Sequence, residues 1–255
     1  MTILDYGILI GSVLLGGWAA FQLGRQQERF IPLLLSFSGA YLLGVTILHL
    51  IPDLFHRPHA GYSYWMLAGF LLQLLLEKLT KGVEHGHAHA LHSEQYGRIL
   101  PVLLGLGLHS FLEGFPLGGY EQLSSELALL DEHQHHSEGS NIHTQLLVGI
   151  SLHKIPAAFA LVTLMRMSGF ARTTTWICLI LFSLTAPLSA FLAQAVLISS
   201  FANWLPQILA MVAGSFLHIS TTILFESGNP GEHHISWWKF GVILLGFGLS
   251  LIHFH

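Results

Sequence analysis

Eight runs of apolar residues follow one another along the 255-residue chain, each long enough to cross a bilayer. The hydrocarbon core of a bilayer requires about 20 apolar residues per helix. The runs are continuous, whereas the strands of a membrane barrel would alternate polar and apolar residues, so helices are indicated. The pattern predicts an all-α integral membrane protein with one transmembrane domain over residues 1–255. Its eight predicted transmembrane helices are 6–24, 31–53, 62–80, 99–120, 144–167, 173–199, 204–225 and 236–253.

Composition supports this class. Hydrophobic residues make up 52% of the chain and charged residues only 9%, against about a quarter in soluble domains. The first basic residue, Arg25, follows the first apolar run instead of preceding it, so residues 6–24 are interpreted as a retained span and not as a secretory signal. A single cysteine, Cys178, excludes an internal disulfide and a thiolate metal cluster. The net charge of −4 offers no basic face for nucleic acid.

The distribution of lysine and arginine predicts the orientation. With the N-terminus outside, nearly all basic residues fall at cytoplasmic ends or loops, and only Arg57 falls outside. Both termini are therefore expected to be extracytoplasmic. The His-rich loop 81–98 is then cytoplasmic, and the acidic and His-rich loop 121–143 is extracytoplasmic. The compact chain favours a plasma membrane, most simply a bacterial inner membrane.

Ionisable side chains inside the apolar runs are the candidates for chemistry, because such groups are costly in hydrocarbon. His109 and Glu113 are four residues apart and share one helix face, as do His49 and Asp53. An imidazole with a carboxylate suits Zn²⁺, Fe²⁺ or Mn²⁺ better than Ca²⁺. Because one helix cannot complete such a site, a second helix must contribute, and His153 is the candidate.

Each candidate also has a structural interpretation. His109 and Glu113 could be a hydrogen-bonded pair that tightens packing, and His49 with Asp53 could be interfacial. His218 is either a further ligand or a polar contact between helices. The first His-rich loop is either a metal-binding tract or a disordered linker. Its candidate ligands are His85, His87, His89 and His92.

Backbone features also accompany the candidates. Prolines inside the spans remove a hydrogen bond to the preceding turn, which predicts local breaks and a polar, hydrated environment. Two Gly-x-x-x-Gly motifs, at 7–11 and 114–118, permit close helix contact. The prolines concerned are Pro52, Pro116, Pro156 and Pro187.

His109-Ser-x-x-Glu113-Gly in the fourth run and His153-Lys-x-Pro in the fifth resemble the paired metal-site motifs of the ZIP (Zrt/Irt-like) metal transporters. The segments ending at Asp53 and at His218 resemble motifs of the second and seventh helices of that family. The resemblance covers almost the whole chain. It implies a divalent-metal importer with no organic cofactor, whose substrate is Zn²⁺ or, alternatively, Fe²⁺, Mn²⁺ or Cd²⁺.

The chain departs from the binuclear pattern of that family. Its binuclear members typically carry carboxylates where this chain has Lys154, Ala157 and Ala186, so His-Lys-x-Pro-Ala-Ala resembles a divergent subgroup. We therefore expect one metal site, made by His109, Glu113 and His153 and completed by water or by a serine. Lys154 would take the place of a second metal. The serine concerned is Ser110.

Other function classes stay open at this stage. The same ligands could serve an intramembrane metalloenzyme, although the chain has no His-Glu-x-x-His motif and an enzyme is not expected. Histidines on facing helices could instead ligate haem. A metal sensor that no longer transports is a third alternative. The expected partners are a divalent metal ion and the lipid bilayer, and a homodimer is left open.

Overall fold

The computed structural model describes residues 1–23, 30–55, 61–80, 95–130, 138–197, 204–226 and 236–252, and regular structure within these ranges is helical throughout. The all-α prediction is thus confirmed for these residues. A π-helical turn (Thr46–Leu50) joins the second helix to the third. The helices are α1 (Ile3–Leu23), α2 (Phe30–Val45), α3 (Ile51–Phe55), α4 (Tyr62–Thr80), α5 (Gln95–Leu130), α6 (Glu138–Met167), α7 (Arg172–Leu197), α8 (Leu205–Glu226) and α9 (Trp237–Ser250).

Helix length and apolarity fit a multi-pass membrane protein. Helices α4 and α9 correspond to the third and eighth predicted spans. Helix α9 has 14 residues, whereas a span needs about 20. Eight spans therefore stay a prediction. Within the described ranges, six helical stretches are long and apolar enough to cross a membrane: Ile3–Gln22, Ile31–Phe55, Ile99–Gly119, Ile142–Met167, Arg172–Ala195 and Leu205–Phe225.

The second span accommodates Pro52 by widening one helical turn. Proline has no N–H to donate to the carbonyl one turn earlier. Just before it, the backbone N–H of Ile51 donates to the carbonyl oxygen of Thr46, five residues back. Such π turns occur often at functional sites because they redirect side chains. Here the widened turn contains His49, one of the candidate ligands.

The second predicted loop, 121–143, is helical at both ends. Helix α5 continues to Leu130, beyond the predicted span end at 120, and α6 begins at Glu138. Within this loop, residues 131–137 lie outside the described residues. A helix satisfies its own backbone hydrogen bonds and can continue where its side chains become polar. Apolar periodicity therefore marks the expected membrane portion and not the helix end.

Helices pair through glycine where their backbones touch. The most extensive helix contacts are α5 with α7, α4 with α8, α1 with α6 and α2 with α9. Between α4 and α8 the contact is reciprocal. A Cβ on Gly69 would overlap the carbonyl oxygen of Met211, and a Cβ on Gly214 would overlap that of Met66. The absence of both methyl groups lets the two backbones approach closely.

One of the two Gly-x-x-x-Gly motifs is used for packing within the chain. A Cβ on Gly114 or Gly118 would overlap backbone carbonyl oxygens of α7, those of Ala186 and Ala190. By contrast, a Cβ on Gly7 or Gly11 would meet no atom of the described residues within 4 Å. The motif at 114–118 therefore holds α5, which carries two candidate ligands, against α7.

Replacing Gly69 by alanine is expected to lower the apparent unfolding temperature in detergent by about 2–12 °C. The added methyl group would collide with backbone, and such overpacking costs about 1–3 kcal/mol, at about 2–4 °C per kcal/mol for a chain of this size. Thermal unfolding followed by tryptophan fluorescence measures the shift. Gly7→Ala is the matched control and should leave the temperature unchanged or slightly raised, because alanine favours helix. Equal shifts in both variants would contradict the assigned packing role.

The candidate ligands lie where two apolar clusters meet. Helix α5 contributes Leu106 to one cluster and Leu117 to the other, and α6 contributes Ala158 and Ile150 to the same two clusters. On each helix the polar motif occupies the positions between these residues. The fold therefore places the motifs of α5 and α6 in a common polar layer between apolar regions.

Candidate metal centre

Three buried side chains from α5 and α6 converge in this polar layer. His109 Nε2 lies 3.2 Å from Glu113 Oε1, and His153 Nε2 lies 3.8 Å from the same oxygen. One ligand atom from each residue lies within 4.8 Å of the other two, and none of the side chains is more than 2% exposed. Two imidazole nitrogens and one carboxylate oxygen form a donor set that Zn²⁺ accepts.

The cluster has fewer hydrogen bonds than its burial requires. Within the part of the chain that the structure describes, no hydrogen bond reaches Glu113 Oε1 or either ring nitrogen of His153. A buried polar atom without a partner costs about 1–3 kcal/mol, and most such atoms in proteins are satisfied. Two of the three convergent atoms, Glu113 Oε1 and His153 Nε2, are in this condition, which suits a cation that enters and leaves.

Lys154 holds the other oxygen of the same carboxylate. Its Nζ donates to Glu113 Oε2 at 2.8 Å, and both side chains are 2% exposed. Glu113 thus directs one oxygen to the imidazoles and the other to an internal cation. The two other positions where the resemblance led us to look for carboxylates, Ala157 and Ala186, are buried alanines without ligand atoms. The ammonium lies where a second cation would neutralise Glu113.

A chain of hydroxyl groups fixes the lysine. Lys154 Nζ donates to Ser110 Oγ at 2.7 Å. Ser110 Oγ lies 2.6 Å from Thr185 Oγ1, which itself donates to the carbonyl oxygen of Phe182 at 2.7 Å. Because the Thr185 proton is committed to that carbonyl, Ser110 donates to Thr185 and accepts from Lys154. The hydroxyl expected as a fourth ligand is therefore engaged with the lysine in this structure.

One polar neighbour of the cluster was missed by the sequence analysis. Gln73, on α4, is fully buried, and its Oε1 lies 3.2 Å from His109 Nδ1. The same oxygen accepts a hydrogen bond from Ser215 Oγ of α8 at 3.2 Å. The signal was present, because an amide inside an apolar run also needs buried partners. The candidates from the sequence were charged residues, histidines and one serine, Ser110, and included no amide.

The other described candidates lie in separate contacts. His49 Nε2 is 2.9 Å from the carbonyl oxygen of Ser250 in α9, and Asp53 lies one turn further along in α3. His218 Nε2 lies 2.5 Å from Glu77 Oε2. Among the described residues, only the first cluster brings three histidine, cysteine, aspartate or glutamate side chains together. The loop candidates lie outside the described residues: His85, His87, His89 and His92.

Comparisons with known proteins agree on one family. A family model described as ZIP Zinc transporter matches residues 91–253, which contain α5 to α9 up to Ser250 and the whole three-residue cluster. The chain is 28% identical over 187 residues to zinc transporter ZIP9 of Micropogonias undulatus, covering 69% of this chain and 54% of that protein. It is 28% identical over 187 residues to zinc transporter ZIP9-B of Xenopus laevis, covering 69% of this chain and 56% of that protein.

A third relative is zinc transporter ZIP9 of Macaca fascicularis, 30% identical over 138 residues that cover 51% of this chain and 53% of that protein. The alignments thus span a little over half the length of these three curated relatives. All three carry the name of a zinc transporter, and none is named as an enzyme.

Proposed function

Because the chain belongs to the ZIP zinc transporter family, we propose that it carries divalent transition metal ions, Zn²⁺ first among them, across a membrane toward the cytoplasm. The observation that carries the proposal is the buried convergence of His109, Glu113 and His153, in which Glu113 Oε1 and His153 Nε2 have no hydrogen-bond partner among the described residues. The names of the family and of the relatives do not favour an intramembrane metalloenzyme. Fe²⁺, Mn²⁺ and Cd²⁺ stay alternative substrates, because affinity alone does not separate these ions at such sites.

The transport site is proposed to hold one ion. Glu113 Oε2 is taken by Lys154, which leaves Oε1 with the imidazoles of His109 and His153 as the ligand set. Water could then occupy the remaining position of a tetrahedral zinc ion. A second ion at the lysine position would meet a buried ammonium instead of a carboxylate.

Modest affinity suits a transporter, since the ion must bind well enough to enter and weakly enough to leave. Glu113 supplies one negative charge, and the Lys154 ammonium at 2.8 Å offsets much of it before an ion arrives. The incoming ion therefore competes with the lysine for the carboxylate. This competition would shorten the time that an ion remains in the site.

The orientation and the location are also proposals. The excess of basic residues at one set of helix ends supports extracytoplasmic termini. The eight apolar runs support eight spans, and the compact chain favours a plasma membrane. In that arrangement His49 and Asp53 lie near the outer end of the second span, where they could receive an entering ion. His218 and its partner Glu77 lie between α8 and α4, and a ligand role for His218 remains part of the proposal.

Purified protein reconstituted into liposomes is expected to take up ⁶⁵Zn²⁺, and His109→Ala should reduce the initial rate at least about tenfold. The expected loss corresponds to about 1.4 kcal/mol, which is modest for the removal of one of three ligands. The measurement is the initial rate against zinc concentration at fixed pH.

His143→Ala is the matched control, because this histidine also lies in α6 but is not part of the three-residue cluster. Its uptake should stay within about threefold of wild type. Wild-type liposomes that take up no divalent metal would contradict transport. Wild-type uptake with full retention in His109→Ala would leave transport standing and contradict the assigned site.

A further inference from the structure

Gln73 connects the proposed transport site to two helices that supply none of its ligands. Its side chain is fully buried in the middle of α4. Its Oε1 accepts from two sides, from His109 Nδ1 on α5 and from Ser215 Oγ on α8, each at 3.2 Å. The contact with Ser215 lies where Gly69 and Gly214 let α4 and α8 approach closely.

The contact decides which ring nitrogen of His109 can bind an ion. A neutral imidazole has one N–H donor and one lone pair, and the hydrogen bond made by one nitrogen determines the role of the other. With the N–H at Nδ1 directed to Gln73 Oε1, the lone pair resides on Nε2. This is the nitrogen that lies 3.2 Å from Glu113 Oε1, inside the cluster.

We propose that Gln73 is a positioning residue that holds His109 in the Nδ1–H form and turns its Nε2 lone pair toward the transported ion. The inference rests on the proposed function, because it assumes that His109 is a ligand. Partners of this kind behind a metal-binding histidine typically change metal affinity by about 10- to 100-fold.

The choice of an amide over a carboxylate fits a site that must release its ion. A carboxylate behind the imidazole would raise the basicity of the ligand and add negative charge, and both strengthen metal binding. The amide fixes the ring orientation without adding charge. Gln73 thereby supplies geometry while the balance between Glu113 and Lys154 sets the charge.

The test compares three substitutions in the full chain, with the eight histidines of the two His-rich loops replaced by alanine so that these loops contribute no zinc binding. Zn²⁺ affinity is determined by competition with a chelator at fixed pH. Gln73→Leu, which cannot accept a hydrogen bond, should weaken binding about 10- to 100-fold. Gln73→Glu, which can only accept, should bind at least as tightly as wild type. The loop residues are His85, His87, His89, His92, His133, His135, His136 and His143.

Gln145→Leu is the control for loss of a buried glutamine. Gln145, on α6, is fully buried and donates to the carbonyl oxygen of Ile252 at 3.1 Å. Gln145→Leu should keep the zinc affinity within about threefold of wild type. It should lower the folding stability about as much as Gln73→Leu does. If the leucine variant at 73 does not fold, Gln73→Met provides a longer side chain of similar shape.

A spectroscopic measurement gives an independent answer. In protein labelled with ¹⁵N-histidine, the two tautomers give different pairs of nitrogen shifts, and the His109 signals are those absent from His109→Asn. We expect the Nδ1–H pattern in wild type and in Gln73→Glu, and its loss in Gln73→Leu. An Nε2–H pattern in wild type, or equal affinities of Gln73→Leu and wild type, would overturn the inference. Equal weakening by leucine and glutamate would do the same.

The outcomes separate this inference from the proposed function. Zinc binding that depends on His109 and Gln73 without uptake into liposomes would contradict transport and support the positioning role. Binding that depends on His109 but not on Gln73 would contradict the positioning role alone. Binding unaffected by His109→Ala would overturn both the assigned site and the role of Gln73.

Discussion

Replacing Glu113 by glutamine is expected to reduce zinc uptake into liposomes at least about 100-fold. Glu113 is the one carboxylate of the cluster, and its two oxygens serve different partners, the imidazoles and Lys154. The amide keeps the shape but removes the charge that attracts the ion. It also leaves the Lys154 ammonium buried without a counter-charge. A 100-fold loss corresponds to about 2.7 kcal/mol, somewhat less than the cost of about 3–5 kcal/mol for breaking a buried ion pair.

The same substitution should lower folding stability, and a second variant separates the two effects. Removing one partner of a buried pair costs about 3–5 kcal/mol, whereas an apolar replacement of both partners is often close to neutral. Glu113→Gln combined with Lys154→Met should therefore unfold near the wild-type temperature while still failing to take up zinc. Wild-type uptake by Glu113→Gln alone would show that the carboxylate is not part of the transport site.

The proximity of the two candidate ligands on α5 was predictable from the sequence, whereas that of the third candidate was not predictable from spacing alone. Residues four apart on a helix share a face, so His109 and Glu113 had to lie together once the run was helical. His153 lies on another helix, and the periodicity within α5 or α6 does not determine which faces of the two helices pack together. His153 was the candidate because one helix cannot complete a metal site, and the family resemblance supported the same pairing. The structure adds its geometry, a 3.8 Å approach to Glu113.

Features that depend on packing between distant helices were missed or left open. The sequence offered two Gly-x-x-x-Gly motifs as equals, and only the backbone of α7 makes Gly114 and Gly118 the pair in contact within the described chain. Gln73 was missed because an uncharged amide in an apolar run does not by itself indicate a site. Its role depends on the side chains that contact it. Those neighbours, His109 and Ser215, are on two other helices.

Replacing Lys154 by methionine is expected to raise the zinc affinity of the site about 100-fold and to slow uptake at saturating zinc. The ammonium lies 2.8 Å from Glu113 Oε2, on the far side of the carboxylate from the imidazoles. A divalent ion and an ammonium about 5 Å apart repel by several kcal/mol at an effective dielectric constant of about 20. Movement of the lysine and hydration would relieve part of this, and the remaining gain of about 2.7 kcal/mol equals 100-fold.

Affinity and stoichiometry are measured by chelator competition in the variant that lacks the loop histidines. Wild type should bind one ion per chain, and Lys154→Met should bind its first ion more tightly and release it more slowly. Lys154→Arg is the charge-retaining control and should stay close to the wild-type affinity. Two tightly bound ions in wild type would contradict a single site. Equal affinity in the methionine and wild-type proteins would mean that Lys154 stabilises Glu113 without competing for the ion.

The changes in zinc binding expected for Glu113→Gln and Lys154→Met have opposite signs. This difference is the strongest test of the site, because loss of folding alone would reduce binding in both variants.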